Sequence, residues 1–281
     1  MNTIAQAVIL ALSTSAVSLA FQEAVPAAPP QGLPLKPARN VEFSTTEGTW
    51  MSIDASPDGK TLLFDLAGHL YTLPLAGGTA TRITSGLEFD SQPRFSPDGR
   101  RMVFVSDRGG AGNLWLADAD GSHAKALTSD LHTMFVSPEW SADGNYILVS
   151  QKKPEFYKSS FELWQYDVHG GSGVQITKGR ANDSVPPDRW HNALGAAAAP
   201  DAKSLYYAHK TGYFSSAVKF PLWQVARRDL RTGQEDIITD EQGSAFRPRL
   251  SPDGKKLIYA TRRDSETALR VRNLVTGKTG G

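Results

Sequence analysis

Cysteine is absent from all 281 residues, which excludes disulfides, thiol catalysis and sulfur-ligated zinc or iron. Neither sign of charge is in useful excess. Thirty basic side chains stand against twenty-nine acidic ones, so the chain has no net field to hold nucleic acid or an anionic membrane. The basic doublets Arg100-Arg101, Arg227-Arg228, Lys255-Lys256 and Arg262-Arg263 lie beside turns or strand ends and read as solvated edges. Histidine is sparse. His69, His123, His132, His169, His191 and His209 include no pair two apart and no His-Glu-x-x-His, the spacings by which close imidazoles hold a hydrolytic metal. Gly170-Gly171-Ser172-Gly173-Val174 fails the spacing of the serine nucleophile elbow. Gly277-Lys278-Thr279 lacks the glycine of a phosphate loop where Arg272 stands. No catalytic residue, metal ligand or cofactor site is expected in this chain.

Long hydrophobic runs are also missing, apart from one. Ile4–Ala20 is apolar and small, diluted by Gln6, Ser13, Thr14, Ser15 and Ser18, and it ends Ser18-Leu19-Ala20, the small-x-small form of a signal-peptidase site. Residues 1–20 therefore read as a signal peptide, although no Lys or Arg precedes the run. Pro26, Pro29, Pro30, Pro34 and Pro37 make residues 21–40 an extended linker. This reading places the protein in the periplasm or outside the cell, with no membrane span once the leader is removed.

What is present is a repeat. Ser-Pro-Asp-Gly stands at Ser56–Gly59, Ser96–Gly99 and Ser251–Gly254, with near copies at Ser141–Gly144 and Ala199–Ala202. Ser56 to Ser96 is 40 positions and Ser96 to Ser141 is 45, the period of a propeller blade. Proline sets φ, aspartate bonds its own backbone and glycine accepts positive φ, so each copy is a tight corner between antiparallel strands. Short apolar runs follow, such as Thr61–Phe64, Tyr146–Val149 and Leu257–Ala260. They are continuous, not alternating, as expected of strands covered on both faces. Leu114-Trp115, Leu163-Trp164 and Leu222-Trp223 are read as one repeated position, and Ile-Thr or Leu-Thr closes each unit. The expected fold is all-β: a β-propeller of four-stranded antiparallel blades near 50–84, 93–128, 138–177, 189–239 and 246–281, the last incomplete.

Phe95-Ser96-Pro97-Asp98-Gly99 followed by an apolar strand, Ser106-Asp107-Arg108, Leu114-Trp115 and Leu127-Thr128 resembles the repeat of the TolB-type propellers. The same repeat occurs in the amino-terminal propellers of a secreted amidohydrolase family and of prolyl-oligopeptidase-type peptidases. Glu47–Gly59 and Ser251–Asp264 are most similar to the amidohydrolase group. That resemblance implies a non-catalytic binding or scaffold module at the front of an exported metal-dependent amidohydrolase, gating or orienting substrate. The alternatives it implies are a free-standing periplasmic interaction module and, third, a peptidase propeller. The expected partner is another protein or a downstream catalytic domain.

Longer connections interrupt the repeat at Gln151–Phe161, Arg180–His191 and Lys210–Pro221. They carry Phe156, Tyr157, Trp190, His191, Tyr213 and Phe214, which a minimal hairpin does not need. Extra length on one face of a repeat scaffold marks a contact surface, and these six residues are the candidates for it. A chain that stops in mid-pattern also leaves an open ring, whose unpaired edges invite association.

Overall fold

Each Ser-Pro-Asp-Gly corner is wired in the same way. In the computed structural model, which describes residues 39, 41–153, 159–180, 182–215, 222–263 and 266–280, the Ser56 hydroxyl donates to Asp58 Oδ1 (2.6 Å) and accepts the Thr61 N–H (2.9 Å). Asp58 Oδ1 also accepts the Lys60 N–H (3.1 Å), and Gly59 closes the turn at φ 69°. The same bonds recur at Ser96 and Asp98, Ser141 and Asp143, and Ser251 and Asp253. The serine hydroxyl, then the backbone N–H, holds each of these carboxyls below its ordinary range. In the fourth copy the serine is Ala199, and Ala202 takes φ 56° in place of glycine.

These corners join the first two strands of five sheets. Blade one is β1 (Ile53–Ala55), β2 (Thr61–Leu66), β3 (His69–Pro74) and β4 (Thr81–Arg82); blade two is β5 (Asp90–Phe95), β6 (Arg101–Ser106), β7 (Asn113–Asp118) and β8 (Lys125–Ala126). Blade three is β9 (Met134–Trp140), β10 (Tyr146–Lys152), β11 (Glu162–Asp167) and β12 (Val174–Gln175). Blade four is β13 (His191–Ala198), β14 (Ser204–Thr211), β15 (Gln224–Asp229) and β16 (Glu235–Ile237); blade five is β17 (Phe246–Leu250), β18 (Lys256–Arg263), β19 (Glu266–Asn273) and β20 (Thr279–Gly280). Every sheet runs in sequence order, and every pairing is antiparallel. The architecture is a β-propeller.

Two expectations need correction. The fifth blade is not incomplete: β20 pairs with β19 through Arg272↔Thr279. The turn that delivers it, with Gly277 N–H on the Asn273 carbonyl, matches Gly233 N–H on Asp229 in blade four. Fourth strands here are as short as two residues, too short to leave an apolar signature. The second correction concerns Leu222-Trp223, which precedes β15 and is not equivalent to Leu114-Trp115 or Leu163-Trp164. The closing threonine shows the true register. Thr84, Thr128, Thr177 and Thr239 hydroxyls accept the N–H of Leu70, Leu114, Leu163 and Val225, so Val225-Ala226 is the matching pair.

The blades stack through alternating faces of their second strands. The second residue of that strand faces the preceding blade and the third faces the next. Leu63 with Met102, Val103 with Ile147, Leu148 with Leu205, and Tyr206 with Leu257 accordingly share four core clusters between successive blades. The bulges on the inner strands of blades two, three and four are each tied to the blade before. Gln92 N–H donates to Asp65 (2.6 Å), Ser137 N–H to the Gln92 side-chain oxygen (2.6 Å) and Gly195 N–H to Ser150 (2.9 Å). The expected leader and linker, residues 1–40, lie outside the described residues apart from Arg39.

Candidate functional site

A cleft runs along blade three and its connection to the joint with blade four. Its two lobes, about 450 and 320 Å³, share Glu162 and Lys178. Glu162 opens β11, a position fixed by the repeat. In blades two and four the equivalent residues are the amides Asn113 and Gln224, whose side-chain oxygen accepts the closing threonine hydroxyl (2.8 Å in both) and a backbone N–H two residues later (2.9 Å in both). Glu162 accepts the same two donors, Thr177 Oγ1 at 2.9 Å and Gly179 N–H at 2.6 Å, together with the Ser160 hydroxyl. A carboxyl thus fills a site built for a neutral amide. Burial disfavours its charge and pushes it up to about 7, against the opposing pull of those hydrogen bonds.

Gly179 holds the two blades together at this point. Its N–H meets Glu162 and its carbonyl accepts the His191 N–H at 2.8 Å. A Cβ there would lie 2.1 Å from the His191 carbonyl oxygen and 2.4 Å from Glu162 Oε1, so only glycine fits. His191 Nδ1 lies 3.0 Å from His209 Nε2, with the rings stacked at 5.1 Å. His209 in turn is 3.6 Å from Glu235. Glu235 also accepts the Tyr207 hydroxyl and lies 3.7 Å from Arg228. Burial, and secondarily the neighbouring His191, lowers the proton affinity of His209, with Glu235 opposing; burial and then the bond to Glu235 raise Tyr207.

Of the six expected contact residues, Phe156 and Tyr157 lie outside the described residues. Trp190 lines the larger lobe but is only 6 % exposed; its indole N–H donates to the Val185 carbonyl (2.8 Å) and Arg180 covers its ring. His191 is exposed and lines the smaller lobe. Phe214 folds back onto Phe161 at 4.9 Å beneath Lys152, with its N–H on the Ser159 carbonyl, and Tyr213 beside it is half-buried. The connections therefore supply part of the cleft's wall, with Lys153, Lys178, Arg180 and Asp183, while Glu162, Tyr207, His209, Arg228 and Glu235 come from strands. Aligning the repeats by strand register, which sets His69, Asn113, Gln224 and Ala268 at this position, would have singled out Glu162 as its one acid. Among the described residues no group of three or more His, Asp or Glu is arranged to hold a metal, and no helix is long and apolar enough to cross a membrane.

Two further features lie on the ring itself. One register position per inner strand, the partner of the third residue of the second strand, holds Asp54, Arg94, Glu139, Ala197 and Arg249. Glu139 of blade three pairs with Arg249 of blade five and lies 3.9 Å from Arg94 of blade two. Burial, then the neighbouring Arg94, brings Arg249 down to about 10, with Asp54 opposing. The second feature is two uncovered faces. Leu63, Val103, Leu148 and Tyr206 are buried by the next blade, but their counterpart Ile258 is 39 % exposed, beside Leu269 and Val271. On blade one the opposite face carries Ile53 with the stacked Phe64 and Tyr71.

Five blades of this wiring define a propeller domain. The chain belongs to the family described as TolB beta propeller domain, which matches residues 35–226. It is 33 % identical over 212 residues to "Uncharacterized protein Atu1656" of Agrobacterium fabrum (strain C58), covering 73 % of this chain and 64 % of that protein. It is 28 % identical over 178 residues to "Uncharacterized peptidase YuxL" of Bacillus subtilis (strain 168), covering 63 % of this chain and 22 % of that protein. It thus spans less than two thirds of both relatives. The crystal structure of TolB from Acinetobacter baumannii superposes with a TM-score of 0.61 at 22 % identity, over 82 % of this chain and 53 % of that one. Blade five, beyond residue 226, repeats the same corner bonds.

Proposed function

We propose that the chain is a non-catalytic binding and positioning module of an exported protein, and that its partner docks on the faces left open at blades one and five. The uncovered Ile258, Leu269 and Val271 carry this reading, because the equivalent face of every other blade is buried by a neighbour. In the finer form of the proposal the partner is a metal-dependent amidohydrolase domain of the same protein, to which the module admits or orients substrate. The wording of Glu47–Gly59 and Ser251–Asp264 supports it. A second reading, a free-standing TolB-like interaction module, is favoured by the superposition on TolB. A peptidase propeller, third, is favoured by the match to YuxL.

Translation of the genomic DNA beyond codon 281 separates them. A barrel pattern bearing His-x-His supports the amidohydrolase reading, Gly-x-Ser-x-Gly the peptidase, and a stop codon the free-standing module. Metal-dependent hydrolysis of an amide or ester by residues 1–281 alone would overturn the non-catalytic reading.

A further inference from the structure

We propose that the cleft between blades three and four binds a small ligand through an oxyanion, a carboxylate or a phosphoryl group, seated against Glu162, Lys178 and His191. Three observations converge on it. The first is the volume, two joined lobes with Glu162 and Lys178 in their common wall. The second is charge. Blade three contributes Lys153, Lys178 and Arg180 against Asp183, the last two 3.5 Å apart. Blade four contributes Arg228 against Glu235, which lie 3.7 Å apart, and the histidine pair. With Glu162 neutral the described lining is net cationic, with Lys153, Lys178, Arg180 and Arg228 against Asp183 and Glu235.

The third observation is the internal control supplied by the repeat. Blades two and four hold the same hairpin with Asn113 and Gln224, so the fold does not require an acid at position 162. An acid there does what an amide cannot: it takes up or releases a proton inside the cleft. An anion beside an ionised Glu162 is repelled, and one beside the neutral acid is not. Anion binding and proton uptake at Glu162 are therefore linked. The imidazoles act in the same direction. Nδ1 of His191 and Nε2 of His209 lie 3.0 Å apart, and a nearby anion favours the protonated form of His209 against the burial that disfavours it.

The test uses residues 1–281 titrated with acetate, for a carboxylate, and with sulfate, a tetrahedral dianion that does not itself titrate, for a phosphoryl group. Binding is read from the imidazole NMR resonances of His191 and His209. The affinity ratio of Glu162→Gln to wild type at pH 6 is the reference. From pH 6 to pH 8 that ratio should rise about tenfold in favour of the variant, since a group titrating near 7 is then about nine-tenths ionised. Lys178→Ala should weaken binding at both pH values. The stronger of the two probes identifies the group. A cooperative thermal melt of Glu162→Gln at pH 6, with a midpoint no lower than that of wild type, shows that the blade is intact. No shift with either anion at 10 mM would overturn the site, at roughly 3 kcal/mol of binding free energy, and a ratio that stays the same from pH 6 to pH 8 would overturn the linkage.

Discussion

At the residue scale, the repeat separates side chains that serve the corner from those that serve something else. Ala202 keeps glycine's dihedral at φ 56° without glycine's freedom. Ala202→Gly should therefore stabilise the chain by about 1 kcal/mol, seen as a higher urea midpoint with an unchanged slope. Asp65 is 7 % exposed and accepts both Ser52 N–H (2.7 Å) and Gln92 N–H (2.6 Å). Asp65→Ala strands two donors at the joint between blades one and two and should cost about 2–4 kcal/mol. Glu162 and His209 give opposite pH dependences. A carboxyl raised to about 7 keeps its proton longer in the folded state than in the unfolded one, so its penalty appears as pH rises from about 4.3 to 7. The lowered proton affinity of His209 makes folding lose stability as pH falls below about 6.5. Glu162→Gln removes the first effect alone. Its melting temperature should exceed that of wild type by a margin that grows from pH 4.5 to 7 and then levels off; a constant margin would mean that Glu162 does not titrate in this window.

At the element scale, the inner strands hold the blades to one another by charge as well as by packing. Glu139 lies between Arg94 and Arg249, and removing it leaves two guanidiniums facing each other in a desolvated hub. Glu139→Ala should cost about 3–5 kcal/mol, and Arg249→Ala, at the more exposed end, less. The difference is measurable by denaturant unfolding of the two variants. The third strands show how an apolar pattern can mislead. Leu222-Trp223 matches the other Leu-Trp pairs in wording, yet the Thr239 hydroxyl sets the register on Val225. An identical dipeptide three residues out of place cannot make the bond that defines the position. Likewise β20 is two residues of Thr and Gly, paired by the turn before it and not by hydrophobicity.

At the scale of the whole molecule, four clusters join five blades, and the outer faces of the first and last remain apolar and open. Exposed sheet faces and edges of this kind associate. Purified 1–281 should therefore sediment as a concentration-dependent mixture of species, and Leu269→Lys should shift it toward monomer. A single monomeric species at all concentrations would count against docking on these faces. Binding of acetate or sulfate in the cleft should be untouched by Leu269→Lys, because the cleft lies at blades three and four.

The sequence by itself determined the blade: its length, its corner and the continuous apolar strand after it. Each of these rests on residues within one corner or strand, where proline, aspartate, glycine and β-branched side chains act on their own backbone. The tertiary structure decided what lies between blades. Glu162 reaches His191 only through Gly179, Arg249 reaches Glu139 only past blade four, and Ile258 is exposed because no sheet among the described residues packs against it. Those relations depend on how one repeat is placed against the next, and no residue carries that information within its own repeat.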